Sequence, residues 1–128
     1  ALREAGLEER ALYIQIAGGI DHPLGELAAR RLLALEQPPS AVFAVSDTLA
    51  VGAIKAALAS GRQVPGDLAV IGFDDVPLAS IFEPSLTTIA QPRRELGEHA
   101  MRLLLRRIAG DMPASMTLAH TLVVRRSA

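Results

Sequence analysis

Polar and apolar positions change their period several times along this chain, and each change marks an element. Two short apolar runs, 42–45 (VFAV) and 68–73 (LAVIGF), each stop abruptly at carboxylates: Ser46-Asp47 after the first, Asp74-Asp75 after the second. Between them, 48–60 carries a single charge, Lys55, which is the composition of a largely buried helix, with Asp47 as its N-cap and Gly61 closing it. Strand, helix, strand in this order predicts a βαβ unit. Upstream, 1–6 reads as the last turns of a helix closed by Gly6 and begun earlier, so the chain looks truncated. The alternating run 12–17 (LYIQIA) predicts a strand, followed by a loop over 18–23. Residues 24–35 put Leu24, Leu27, Ala28, Leu32 and Leu35 on one stripe at helical spacing, with Glu26, Arg30 and Arg31 off it, and Pro38-Pro39 beyond. Downstream, 76–85 reads as a loop holding Pro77 and Pro84, and 86–90 as a strand broken by Gln91-Pro92. The longest helix, 94–109, carries Leu96, Ala100, Leu103, Leu104 and Ile108 on one face and ends at Gly110; 116–124 reads as a last strand. The sum is an α/β fold, an open, mainly parallel sheet flanked by helices.

Composition narrows this. At 128 residues the chain is one domain by length, large enough to bury roughly two thirds of its unfolded surface. Three Phe, one Tyr and no Trp leave Ala, Leu, Val and Ile to build the core, and argue against a base-stacking nucleic-acid surface. The net charge is −1, and the arginine pairs 93–94, 106–107 and 125–126 do not gather into the basic footprint of a chain that grips DNA alone. No cysteine is present for disulfides or thiolate metal sites. Neither a leader nor an apolar run of about 18 residues is visible, so no membrane span is expected and the cytoplasm is the default location.

In a parallel sheet the carboxyl ends of the strands open onto the crevice where small ligands bind. Asp74 sits there and can accept two hydroxyl hydrogen bonds, although one member of such a pair often only caps the next turn. Arg93, just after Gln91-Pro92, is either a cleft-lining cation where the chain crosses between lobes or a first-turn surface residue. Catalysis is poorly supported: His22, His99 and His120 are widely spaced, no nucleophile elbow is present, and only Gly18-Gly19 follows the first predicted strand, so no phosphate loop is formed. Asp47, Asp74 and Asp75 could together hold Mg²⁺, but such α/β sites need a strand-end lysine and Lys55 lies inside a helix. The chain is therefore read as a non-enzyme without cofactor or metal.

The wording of 41–92, with Val64-Pro65, Gly72-Phe73-Asp74-Asp75, Leu86-Thr87-Thr88-Ile89 and Gln91-Pro92, then Leu96-Gly97 and the closing Arg125-Arg126-Ser127, resembles the effector-binding region of LacI/GalR-type transcriptional repressors. The resemblance runs from about residue 5 to 127 and implies one lobe of a periplasmic-binding-protein-like (type I) sensor, mainly its carboxyl-terminal lobe over 1–128. The crossover and helix at 91–110 would belong to the amino-terminal lobe. In such repressors the Asp after the Gly-aromatic pair contacts the effector, which is Asp74 here, leaving Asp75 structural. A second contact falls on Ser46, where relatives often carry Asn. Ile20 occupies a place where relatives often have an aromatic ring against the ligand, unless it merely plugs the loop; Asp21 is a weaker polar candidate. The resemblance also implies a homodimer whose partners are a small effector, sugar or nucleobase, and operator DNA reached only through a separate amino-terminal headpiece. A lobe of an extracytoplasmic sugar-binding transport protein is the alternative with the same architecture.

Overall fold

A computed structural model describes residues 4–6 and 11–128. The element order is α1 (His22–Leu33), β1 (Ala41–Phe43), α2 (Asp47–Ala59), β2 (Ala69–Asp74), α3 (Pro77–Ile81), β3 (Thr87–Ala90), α4 (Arg93–Ile108) and β4 (Thr121–Val123), with a 3-10 turn at Ala11–Tyr13. The four strands lie in the order β1-β2-β3-β4; the first three are parallel and β4 runs antiparallel to β3. The open, mainly parallel α/β sheet read from the sequence is the observed architecture.

The core lies between α2 and one face of the sheet. Val42, Val70 and Leu86 meet Ala50, Ala53, Ile54 and Ala57 of α2, joined by Leu68, Ala79 from α3, and Ala29 and Leu33 from α1. Small residues let these layers come close. A methyl group added at Gly25 of α1 would run into the backbone of Leu49, and one at Gly52 into the backbone of His22 and Glu26, so two glycines set the α1–α2 separation. This moves the buried face of α1. Gly25, Ala29, Leu32 and Leu33 are buried while Leu27 is about half exposed, so the stripe drawn through Leu24, Leu27 and Ala28 is one position off. Leu32 of the predicted stripe is buried as expected, whereas Leu27 turns outward because the two backbones meet at Gly25.

The helix ends predicted at Gly61 and Gly110 are observed. Gly61 has φ +77° and Gly110 has φ +96°, each the left-handed residue of a paired C-terminal closure: Arg62 N donates to Ala57 O and Gly61 N to Leu58 O, with the equivalent pair from Asp111 and Gly110 onto Arg106 and Arg107. The carboxyl-terminal residues are stitched between β2 and β3. Ser127 is fully buried; its Oγ donates to Val70 O (2.6 Å) and accepts from Thr87 N (2.9 Å), while its carbonyl accepts from Val70 N.

Three expectations are corrected. Residues 12–17 form no strand: Ala11–Tyr13 is a 3-10 turn, and the segment after it faces β1 across an apolar cavity of about 1290 Å³, lined also by Phe43, Val45 and Ile71, so its alternation meets no hydrogen-bonding edge. The loop 76–85 contains α3, a single turn with proline at its first position. The last strand is shorter than 116–124, since pairing with β3 reaches only Thr121–Val123. The helix expected at 1–6 falls mostly outside the described residues; 4–6 form a turn.

Candidate functional site at the carboxyl ends of the parallel strands

β2 and β3 end together, with Asp74 registered on Ala90, while β1 pairs only as far as Phe43 opposite Ile71 and residues 44–46 carry the chain on in the same direction. Ser46, Asp74 and Gln91 therefore come to the same edge of the sheet. β2 does not run out smoothly. Asp74 has φ +117° and Asp75 φ +52°, two successive non-glycine residues in left-handed backbone. Such geometry persists only where the surroundings impose it, and it concentrates at ligand clamps and active sites.

Four side chains hold this turn. Gln91 Nε2 donates to Asp74 Oδ1 at 2.5 Å, and Arg125 donates to Asp75 Oδ1 at 2.7 Å while also reaching Leu86 O. Arg93, on the first turn of α4, donates to Asp75 O at 3.3 Å. Asp47 Oδ2 accepts from Val76 N at 2.8 Å, and its Oδ1 accepts from Thr88 Oγ1. The acids that a metal ion would need to share are thus each turned to a different partner, and among the described residues no group of three His, Cys, Asp or Glu is placed to hold one.

The roles of Ser46 and Asp47 differ from the sequence reading in one respect. Ser46, extended at φ −151° and ψ 154°, is the N-cap of α2 and its Oγ accepts from Leu49 N; Asp47 is already helical. The shorter hydroxyl reaches the third amide, freeing the longer carboxylate to turn toward the sheet. Ser46 stays at the strand-end edge, with its O–H available as a donor.

Of the other sequence candidates, Arg93 is exposed and brought against the turn through the Asp75 carbonyl. Ile20 is about three quarters exposed and borders the apolar cavity. Asp21 is the N-cap of α1, accepting from Leu24 N at 3.2 Å. The contacts that fix the Asp74 turn come from Asp47, Gln91, Arg93 and Arg125, and Ile20 and Asp21 are not among them. Gln91 was missed as a site residue. Its signal was available: like Ser46 and Asp74, it stands immediately after an apolar strand.

A carboxylate held on a strained strand end, at the edge where the parallel strands of an α/β sheet open, is a candidate ligand site. Over residues 1–128 the sequence matches the family described as periplasmic binding protein-like domain. Among curated proteins it is 46% identical over 111 residues to the HTH-type transcriptional repressor CytR of Escherichia coli K12, covering 87% of this chain and 32% of that protein. It is 43% identical over 129 residues to the HTH-type transcriptional repressor PurR of Erwinia tasmaniensis, covering 99% of this chain and 38% of that one. Among solved structures, the transcriptional regulator CelR in complex with cellobiose superposes with a TM-score of 0.92 at 38% identity, over 100% of this chain and 39% of that one. A LacI-type transcription regulator from Bifidobacterium animalis subsp. lactis gives 0.86 at 34% identity, over 99% and 46%. The chain belongs to the periplasmic binding protein-like domain family, in the form carried by LacI-type transcriptional regulators. It spans about a third of the length of the curated relatives it matches.

Proposed function

We propose that this chain is the carboxyl-terminal part of the effector-binding domain of a LacI-type transcriptional regulator, and that it takes a small polyhydroxylated metabolite of the sugar class at the Asp74 turn. The observation that carries the reading is the left-handed Asp74 at the end of β2, its carboxylate fixed on one oxygen by Gln91 and open on the other. A carboxylate in this state accepts ligand hydroxyls through charge-assisted hydrogen bonds without reorganising. Ser46 supplies a hydroxyl at the same edge, and Arg93 a cation; Ile20 and Asp21 belong to the loop that would complete the wall when the domain closes. The sugar class is supported by the cellobiose complex of CelR.

The whole protein would be a cytoplasmic homodimer and not an enzyme. Its segment 91–110 would cross into a second lobe, and differential affinity of the effector for two lobe arrangements would alter the grip of separate headpieces on operator DNA. The named relatives are repressors, which favours this over a transport-protein lobe. No helix among the described residues is long and apolar enough to cross a membrane. The test is Asp74→Asn in the full-length protein. Effector affinity, titrated by calorimetry across a panel of sugars and nucleobases, is expected to fall about tenfold or more, while operator binding without effector stays intact. An unchanged effector response removes Asp74 from the site.

A further inference from the structure

We propose that Asp47 is a positioning residue for the ligand carboxylate: a buried acid whose task is to hold the Asp74-Asp75 turn in its left-handed backbone. The proposal rests on the reading of Asp74 as the ligand group.

The position of Asp47 is unusual for an acid. It is 1% exposed, and it lies directly over Gly72, where an added methyl group would collide with its carboxylate, its Cα and Leu86. Gly72 pairs with Thr88 across β2 and β3, and Thr88, itself fully buried, donates its hydroxyl to Asp47 Oδ1. Sheet and helix have thus been fitted around the carboxylate, with a glycine cleared to admit it and a threonine supplied to bond it. Burying a carboxyl group is costly, and the cost is offset here by these hydrogen bonds and by its place in the first turn of α2, at the end of the helix dipole that suits an acidic side chain.

Stability of α2 does not account for the residue, because Ser46 already performs the capping. What Asp47 does that an apolar side chain cannot is accept the amide of Val76. That amide belongs to the first residue after the two left-handed ones, so the bond fixes where the strained turn must end. Gln91, Arg93 and Arg125 grip the same turn, but none is as buried as Asp47, which acts from the core side. Val70 and Gly72 face α2 in turn along β2. Asp47 therefore stands between the apolar core and the ligand carboxylate, and transmits the rigidity of one to the other. Without it, the Val76 amide loses its acceptor and Asp74-Asp75 can relax to ordinary backbone, taking the Asp74 carboxylate out of register.

The experiment uses the full-length protein with Asp47→Ala, Asp47→Asn and Thr88→Val, and Ile54→Val as a core variant that lowers stability without touching the turn. Amide exchange at Asp75 and Val76 is followed by mass spectrometry in the absence of ligand. Asp47→Ala is expected to raise exchange at Val76 about tenfold or more, matching the loss of a hydrogen bond to a charged acceptor, with Asp47→Asn and Thr88→Val intermediate and Ile54→Val unchanged there. If Asp47→Ala does not fold, Asp47→Asn decides. Exchange at Val76 indistinguishable from that of Ile54→Val overturns the proposal. In parallel, cellobiose, glucose and adenosine are titrated into the wild type, Asp47→Asn and Asp74→Asn. Loss of affinity in both variants supports the proposal; loss in Asp74→Asn alone overturns the positioning role. Should Asp74→Asn bind as the wild type does, or the wild type bind none of the three, the ligand reading of Asp74 falls or stands unsupported, and the exchange at Val76 still decides whether Asp47 holds the turn.

Discussion

At the scale of single residues, the site is built from backbone strain and its restraints. Ordinarily glycine is less stable than alanine by about 0.5–1 kcal/mol within an element. At Asp74, with φ +117°, the order should reverse, because alanine keeps the left-handed penalty and glycine does not. We expect Asp74→Gly to exceed Asp74→Ala in stability by about 1 kcal/mol or more in chemical denaturation, with neither binding effector. Equal stabilities would mean the backbone there carries no strain. Ser127→Ala gives a second residue-scale outcome: it strips the acceptor from the buried Thr87 amide and should cost about 1–3 kcal/mol. Much of this site was legible in the sequence, and the limits are instructive. Asp74 could be singled out as a candidate because it ends an apolar strand at the carboxyl edge of the sheet, while the choice of Asp74 over Asp75 rests on the family resemblance, since strand-end acids often only cap a turn. The exchange of roles between Ser46 and Asp47 could not, since both residue types cap helices and only the position of Gly72 and Thr88 across the sheet decides which one turns inward. The arginine on Asp75 was equally hidden, being 50 residues away.

At the scale of elements, local pattern sufficed wherever an element carries its own boundaries. α2 and α4 were found to within a residue because each closes at a left-handed glycine and opens at a clear break, a polar cap for α2 and Gln91-Pro92 for α4, and β2 because six residues of apolar run end in charge. Pattern failed where the outcome depends on a neighbour. The run 12–17 alternates as a strand should, yet a strand exists only when an edge receives it, and the cavity beside β1 separates the two. The face of α1 was misplaced for the same reason: hydrophobicity points to the leucines, whereas close approach at Gly25 and Gly52 selects the small residues. This yields a prediction of counterintuitive sign. Alanine is the better helix former by about 1 kcal/mol, but Gly52→Ala should destabilise the protein by about 1–3 kcal/mol, because the new methyl group meets the α1 backbone at His22 and Glu26 and the helices must move apart. A variant that melts at or above the wild-type temperature would show that this contact is not tight.

At the scale of the molecule, α4 is the part whose packing the 128 residues do not complete. None of its residues is buried, and Leu96, Met101, Leu104, Leu105 and Ile108 are all about half exposed or more. The helix is tied to the sheet at its entry, through Gln91 and Arg93 on the Asp74-Asp75 turn, so its direction is set at the same turn that would bind ligand. An apolar helix face of this size carries several kcal/mol at about 25 cal/mol per Å², which is released only on finding a partner. Of the ways such a face can be satisfied, folding back onto its own sheet is not the one adopted. In the proposed whole protein a second lobe would cover it. For the isolated chain, the remaining partner is another copy, since a helix stripe readily complements itself about a two-fold axis. Sedimentation of the 128-residue chain is therefore expected to show a dimer, and Leu104→Glu, which plants a charge in the stripe, should shift it toward monomer. The same chain, with a net charge of −1, should give no salt-sensitive DNA affinity in a gel shift, so that association and DNA binding separate cleanly. A chain that stays monomeric at high concentration, with Leu104→Glu altering neither mass nor stability, would mean that the face of α4 is not an interface and that α4 does not lead into a second lobe.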